Sequence, residues 1–269
     1  MSATIYIHEF RSRLKSVLTW SLSLAAMILI FYSIFPTFAE QAASINKAMS
    51  NFPPALLAAF GMGQVDLSTI LGFFSFIFLF AQVCLAIQAG NYGFGLVSIE
   101  ETELTADFLL SKPVSRAQVM NSKLLAALTS LGITDVIFWL ASFICILLFR
   151  GSHTYEPRIL LLLFAGSVLF QLFFLCVGLV ISLLVRRVRS VTPFALGLGF
   201  GAYILNAFSG MLGDVKLELI TPFRHFDPNY IVSHAALDTP LVLINVAVSL
   251  VALVASYWLY IRRDIPAVS

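Results

Sequence analysis

Six uninterrupted apolar runs dominate this chain of 269 residues, and each is long enough to cross a lipid bilayer as a helix. The hydrocarbon core of a bilayer is about 30 Å thick, and a helix needs roughly 20 apolar residues to cross it. Five of the runs contain no Asp, Glu, Lys or Arg, and the third contains only Asp135. Continuous runs favour helices, because the strands of a membrane barrel alternate apolar and polar residues. The predicted spans are residues 17–38, 67–90, 124–149, 159–185, 191–212 and 241–261.

The composition agrees with a membrane protein. Hydrophobic residues make up 59% of the chain and charged residues 11%, whereas soluble domains average roughly 45–50% and about 25%. We therefore predict an all-α fold with a single transmembrane domain over residues 1–269. The net charge of +2 is too small to indicate a nucleic-acid partner. The first run exceeds the 7–15 residues of a signal peptide's apolar core, so we expect it to be retained as a span.

The distribution of Lys and Arg predicts the orientation. Residues 1–16, 91–123, 186–190 and 262–269 lie on one side of the predicted spans and hold eleven of the 16 Lys and Arg residues. Because cytoplasmic segments carry the excess of positive charge, both termini are predicted to be cytoplasmic. The chain is then a multi-pass protein of the plasma or inner membrane.

The N-terminal segment has an amphipathic pattern. Ile7, Phe10 and Leu14 recur at helical spacing, and Arg11 and Lys15 fall on another face. This pattern predicts an amphipathic helix that lies along the inner leaflet before the first span. The alternative is a plain cytoplasmic extension of that span.

The two long outer segments, residues 39–66 and 213–240, mix aromatic residues and prolines with apolar residues. We expect short helices or re-entrant pieces at the outer interface. His225, Asp227 and His234 lie in the second segment, but their spacing offers no tetrahedral ligand set, and we predict no metal site.

The loop between the second and third spans carries two helix-start signals. Ser98 is followed three residues later by Glu101, which is the pattern of a capping box, and a second capping box begins at Ser115. Pro113 disfavours helix at the residue before it. The loop therefore predicts a short cytoplasmic helix over about 99–112 that stands apart from the third span.

The predicted short helix has an acidic stripe. Glu100, Glu103 and Asp107 fall on one face, and Leu104 and Phe108 adjoin them. Acidic residues beside bulky apolar ones on a cytoplasmic loop fit a docking surface for a partner protein. The alternative is a solvated charged face whose apolar neighbours pack on the end of the bundle.

The chain lacks motifs for catalysis. It has no phosphate-binding loop of the form G-x-x-x-x-G-K-[ST], no H-E-x-x-H and no G-x-S-x-G. An active site needs a nucleophile and a base within reach of each other, and the spans offer one carboxylate and no histidine. We predict that this chain is not an enzyme and binds no cofactor of its own.

The loop resembles the signature of ATP-binding-cassette exporter permeases of the type-2 family. In that signature an acidic stretch leads into a short helix, then Leu-Leu-Ser-x-Pro-Val-Ser-Arg, then the third span. The stretch from Pro222 to Pro228 is similar to a subset of the same family. Many members have Gly-Thr where this chain has Leu104 and Thr105, which leaves the subfamily open. The matching residues are Glu100, Glu101, Thr105, Asp107, Leu109, Leu110, Ser111, Pro113, Val114, Ser115 and Arg116.

The resemblance implies a division of labour. Such a permease is half of a membrane domain, pairs with a second copy or a paralogue, and is driven by a separate cytoplasmic ATPase subunit that holds ATP and Mg. The short helix would be the coupling helix that sits in a groove of the ATPase. Neither the substrate nor the choice between homodimer and heterodimer follows from the sequence. The residues expected to couple to the ATPase are Glu100, Glu101, Glu103, Leu104, Thr105, Asp107, Phe108, Leu109, Leu110, Pro113 and Arg116.

Asp135 lies near the middle of the third span. A central acidic residue costs about 2.5–3.5 kcal/mol on insertion scales and tends to face the protein interior. The favoured interpretation is a hydrogen bond to a polar residue of a neighbouring helix. The other makes it the coupling residue of a stand-alone secondary transporter or channel, which is the alternative function for the chain; a membrane scaffold without transport is a third. The polar candidates are Gln82, Gln171, Asn206 and Asn245.

Gly197 and Gly201 in the fifth span have G-x-x-x-G spacing. This spacing allows close contact between helices. Packing within the bundle is the favoured interpretation, and a seam between two copies is the alternative.

Overall fold

The computed structural model describes residues 2–53, 57, 66–102, 115–185, 188, 190–209 and 217–262. These ranges contain helices and their connections and no strand. The helices, numbered here in chain order, are α1 (Ala3–Glu40), α2 (Ala42–Met49), α3 (Ile70–Thr102), α4 (Arg116–Phe149), α5 (Pro157–Leu184), α6 (Val191–Ser209), α7 (Pro222–His225), α8 (Pro228–His234) and α9 (Thr239–Arg262), with a single 3-10 turn at Leu217–Leu219.

Six of these helices, α1, α3, α4, α5, α6 and α9, are long and apolar enough to cross a membrane. Each contains most of one predicted apolar run, so the six predicted spans and the all-α fold class are confirmed. The side of the membrane on which the termini lie remains a prediction.

The helix α3 is the central element of the bundle. In its most apolar 18-residue stretch 83% of the residues are buried, against 11% in α6. A helix that is apolar on every side is stable only when other helices surround it or lipid does, and α3 is packed by α1, α4, α5 and α6. Phe74 and Phe78 of α3 form a buried aromatic group with Phe138 of α4 and Phe164 of α5, with tilted and edge-to-face rings.

Glycines bring α3 and α5 into backbone contact. A methyl group built on Gly93 of α3 would lie 2.3 Å from the carbonyl oxygen of Leu175, and one on Gly178 would lie 3.2 Å from that of Gly90. Small residues at such positions let two transmembrane helices approach closely, which strengthens their van der Waals contact.

The fifth span, α6, uses only part of its glycine pattern within the bundle. Gly199 faces Ile87 of α3, where an added methyl would come within 2.9 Å of the isoleucine side chain. Gly197 and Gly201 have nothing within 4 Å of such a methyl among the described residues. The favoured interpretation, that this G-x-x-x-G pair packs inside the bundle, is therefore wrong for the described part of the chain.

The structure draws no boundary between the N-terminal segment and the first span. One helix runs from Ala3 to Glu40, and its start lies against α4: the Ser2 amide donates to Ser122 Oγ at 2.9 Å and Tyr6 Oη to Thr129 Oγ1 at 3.3 Å. A separate interfacial helix is not present, and the continuous helix fits the extension of the span. The polar side chains of this segment find partners on α4, so its helix continues instead of turning.

The predicted helix start at Ser98 is also wrong. The helix α3 continues without a break through Ser98 and Glu101 to Thr102. An N-cap residue needs non-helical backbone, and a helix already formed extends with little cost for each added residue. Residues 103–112 of the predicted short helix lie outside the described residues.

At the opposite end of the bundle, α7 and α8 fold back between the spans. Gln82, about three turns into α3, donates through Nε2 to the carbonyl of Phe226 at 2.8 Å, and Ser75 Oγ donates to Asn229 Oδ1 at 2.8 Å. Phe226 and Phe223 also pack against Phe170 of α5. The segment therefore contains the short helices that were predicted, and it inserts into the core.

We expect Gly93→Ala to destabilise the fold by about 1–3 kcal/mol, because the added methyl meets the Leu175 carbonyl and forces α3 and α5 apart. Gly201→Ala, which adds the same group to an open face of α6, is the matched control and should change little. Unfolding in a detergent titration measures both. Equal loss of stability in the two variants would contradict the close contact between α3 and α5.

Candidate functional site

The first and last described residues lie at the same end of the bundle, here called the termini end. Ser2 is bonded to Ser122 near the start of α4, and the Arg116 guanidinium donates to the carbonyl of Ile261, near the end of α9, at 3.2 Å. The helix α3 ends here at Thr102, and α4 begins at Arg116. The segment 103–114 therefore leaves and returns at the termini end.

The start of α4 is fixed by its capping box, as the sequence predicted. Ser115 Oγ accepts from the amide of Gln118 at 3.3 Å, and Gln118 Oε1 accepts from the amide of Ser115 at 3.1 Å. Arg116 follows directly and also donates to the Tyr260 carbonyl at 3.4 Å. A guanidinium at the last carbonyls of a helix satisfies acceptors that have no partner within the helix, and it complements the helix dipole.

Four side chains form a charged cluster at the termini end: Glu9, Arg13, Tyr92 and Lys123. Arg13 Nη1 lies 2.7 Å from Glu9 Oε2, and Lys123 Nζ lies 3.6 Å from Glu9 Oε1. The Arg13 guanidinium lies over the Tyr92 ring at 5.8 Å. Lys123 is 3% exposed and Arg13 8%, and buried charges of this kind are retained only when they are paired and hydrogen-bonded.

Lys123 connects three helices. Lys123 belongs to α4. Its Nζ donates to the carbonyl of Leu96 in α3 at 2.7 Å and pairs with Glu9 of α1. The Leu96 carbonyl lies about two turns before the end of α3. The ammonium therefore ties the helix that leads into segment 103–114 to the helix that follows it.

A chain of hydrogen bonds extends the cluster toward the middle of the bundle. Tyr92 Oη donates to Ser16 Oγ of α1 at 3.2 Å, and Gln88 Nε2 donates to Tyr92 Oη at 3.4 Å. Gln88 Nε2 also donates to Thr134 Oγ1 of α4 at 2.9 Å, and Ser21 Oγ of α1 to the same oxygen at 3.5 Å. These bonds hold α1, α3 and α4 together over several turns.

Within the part of the chain that the structure describes, no three His, Cys, Asp or Glu residues are grouped closely enough to hold a metal ion. His225 lies beside Asn245, Asp227 pairs with Arg224 and His234 stacks on Tyr230. Burial lowers the pKa of His225.

The structure describes few of the residues predicted to couple to an ATPase. Glu100 and Glu101 lie in the last turn of α3, and Arg116 is the first residue of α4. The remaining predicted residues lie outside the described residues: Glu103, Leu104, Thr105, Asp107, Phe108, Leu109, Leu110 and Pro113.

Asp135 lies apart from this cluster, deeper in α4. Its carboxylate accepts a hydrogen bond from Gln171 Nε2 of α5 at 2.5 Å, and both side chains are buried. Gln171 is one of the four partners that the sequence suggested. Two others are engaged elsewhere, since Gln82 donates to Phe226 and Asn245 lies beside His225.

Sequence reasoning missed the charged cluster as a unit. Glu9 and Arg13 are four residues apart on one helix, a spacing that favours an ion pair and could have been recognised. Lys123 and Tyr92 come from other helices, so no local pattern indicates that they join Glu9. Arg13 and Lys123 entered the sequence analysis only through the count of positive charges.

A family model described as ABC-2 family transporter protein matches residues 3–265. No curated protein matches the chain.

We expect Glu9→Gln to destabilise the protein by about 2 kcal/mol, because it removes the carboxylate that the two buried cations share. The matched control is Glu40→Gln at the exposed end of α1. The free energy of unfolding in detergent titration measures both variants. If both variants lose stability equally, or neither does, the cluster does not hold the three helices together.

Proposed function

The chain belongs to the ABC-2 transporter family, and on that premise we propose that it is the membrane-spanning half of an ATP-driven exporter. As a member of this family it is a membrane component of a transporter and not itself the catalytic subunit. The proposal adds three elements: a separate ATPase that docks on segment 103–114, a second permease copy or paralogue, and export as the direction of transport.

The observation that carries the proposal is the position of Lys123. This residue joins α1, α3 and α4 about two turns from the end of α3 and the start of α4, which flank segment 103–114. A force applied to that segment would act on α3 and α4 together, and through Glu9 on α1. The segment could then work as a lever whose movement is passed to half of the spans.

The acidic stripe suits a basic groove on a partner. Glu103 and Asp107 lie in the segment together with Leu104, Phe108, Leu109 and Leu110. Opposite charges steer two proteins together and fix their register, and a buried aromatic anchor supplies affinity. ATP and Mg would be held by the partner, since this chain has no phosphate-binding loop in its sequence.

The outward face of α6 supports pairing with a second permease chain. Gly197 and Gly201 lie open there, and Phe194, Phe200 and Ile204 are exposed beside them. Small residues flanked by bulky apolar ones let a second helix approach closely in a membrane. Whether that helix belongs to an identical chain or to a paralogue is left open.

The orientation of the proposed exporter follows from the positive charges. The termini end carries the excess of Lys and Arg, which favours a cytoplasmic position for segment 103–114. A cytoplasmic ATPase can reach the segment only in this orientation. The plasma or inner membrane is the proposed location.

The alternative function is a stand-alone secondary transporter or channel that uses Asp135. The observation in its favour is a buried carboxylate within a span. Against it, Asp135 is bonded to a single amide and has no ion pair with any Lys, Arg or His among the described residues. Proton and ion relays are built from chains of such groups.

We expect the triple variant Glu103→Gln, Asp107→Asn, Phe108→Ala to lose its ATPase, because charge and anchor are removed together. The measurement is co-purification, in mild detergent, of a phosphate-loop ATPase identified by mass spectrometry, together with the ATP turnover of the complex. At least a tenfold loss of both is predicted.

The matched control removes two acids and one aromatic elsewhere: Glu40→Gln, Glu156→Gln, Phe52→Ala, all at exposed positions. This control should keep the ATPase and its turnover. A coupling triple variant that folds, retains the ATPase and hydrolyses ATP at the wild-type rate would refute docking at this segment.

A further inference from the structure

A cavity of about 190 Å³ lies between α4 and α5, near the middle of both helices and away from the charged cluster. Asp135 and Gln171 line it together with Gly132, Val136 and Trp139. Gly132 and Val136 are exposed, so the cavity opens on the outer surface of the bundle. At this depth of a span the surface faces lipid or another membrane chain.

The cavity is lined by one acceptor without a described donor and by a carboxylate that accepts one described hydrogen bond. Gln171 is 1% exposed, and its Oε1 has no hydrogen-bond partner among the described residues. The Gln171 amide nitrogen is the only described group that donates to the Asp135 carboxylate. The free oxygen therefore belongs to the amide group whose nitrogen contacts the carboxylate, and both residues line the cavity.

A pair of acceptors, one of them anionic, favours a cationic ligand that carries several N–H donors. In a site of low dielectric constant an unpaired acceptor is costly, and a charge-assisted bond to an ammonium is strong. A primary ammonium has three N–H donors and can reach both oxygens at once. The Trp139 indole N–H does not compete for them, since it donates to Ser167 Oγ at 3.4 Å.

A second copy of this chain cannot supply that cation. None of the six predicted spans contains Lys or Arg, so no basic side chain of a neighbouring copy lies at this depth. The rim of the opening is apolar: Val136 is 49% exposed and Leu140, one turn further along, 56%. The occupant must therefore carry its own apolar body through the lipid phase.

We propose that this cavity binds the primary ammonium group of a bilayer-soluble amphiphile, such as a long-chain amine, which enters from the lipid. Asp135 pairs with the ammonium and Gln171 Oε1 accepts a second N–H bond. The cavity is smaller than the roughly 300–1,000 Å³ of sites that enclose whole ligands, so the alkyl tail stays between lipid chains. Binding needs neither nucleotide nor ATPase.

The experiment uses a photoreactive amphiphile and the full chain in phosphatidylcholine nanodiscs. The amphiphile is a dodecylamine that carries a diazirine at carbon 4, and the corresponding alcohol is its uncharged counterpart. Mass spectrometry locates and quantifies the label. We expect saturable labelling by the amine within residues 128–139 and 168–172, displaced by dodecylamine, and at least tenfold less labelling by the alcohol.

Two variants test the site in different ways. Asp135→Asn keeps an oxygen that can accept from Gln171 but removes the charge, and Gly132→Leu closes the opening. An added methyl on Gly132 meets no described atom within 4 Å, so the fold should tolerate the leucine. Each variant should lower labelling at least tenfold, whereas Ala247→Leu, at an exposed position of α9, should not.

Equal labelling by amine and alcohol, or undiminished labelling of a folded Asp135→Asn protein, would overturn the proposal. Absence of label from the cavity in the wild type would do the same, because it would mean that another membrane chain covers the opening. Since no ATPase is present in this experiment, none of these results would contradict the proposed exporter function.

Discussion

The termini end of the bundle depends on the hydrogen bond and the ion pair that the Lys123 ammonium makes. A cation 3% exposed is stable only when its donors are satisfied, and here one bond goes to a main-chain carbonyl of α3 and an ion pair goes to α1. Three helices thus meet at one charged atom. Since two of them flank segment 103–114, the contacts that stabilise this end are also the ones that would transmit movement in the proposed mechanism.

The remainder of the bundle is arranged around α3. Glycines at its contact with α5 allow backbone approach, and buried aromatic rings fill the space further along the helix. At the end opposite the termini, the carbonyl of Phe226 and the side chain of Asn229 in α8 accept hydrogen bonds from Gln82 and Ser75 of α3. The central helix is therefore held by charge at one end, by close packing in the middle and by inserted short helices at the other end.

The sequence predicted the spans well because burial in lipid imposes a strong requirement on composition, which each apolar run meets. It failed where a local pattern competed with a helix that was already formed, as at Ser98, whose capping box lies inside α3. From the sequence, the hydrogen-bond partner of Asp135 could only be narrowed to four residues, one of which is Gln171. The rotation of each helix about its axis is set by packing, which the sequence does not give directly. Glu9 and Lys123 are separated by more than a hundred residues, so no local sequence pattern indicates that they form an ion pair.

The central proposal is that Lys123 passes movement of segment 103–114 to the spans. Its most direct test is the distance between spin labels at Glu40→Cys and Thr239→Cys, at the far ends of α1 and α9, in the purified complex with its ATPase, before and after ATP and Mg are added. We expect the distance between the labels to change on addition of ATP and Mg in the otherwise wild-type protein and in the control Lys47→Met. In Lys123→Met it should stay constant. An ATP-dependent change of the same size in a folded Lys123→Met complex would contradict it.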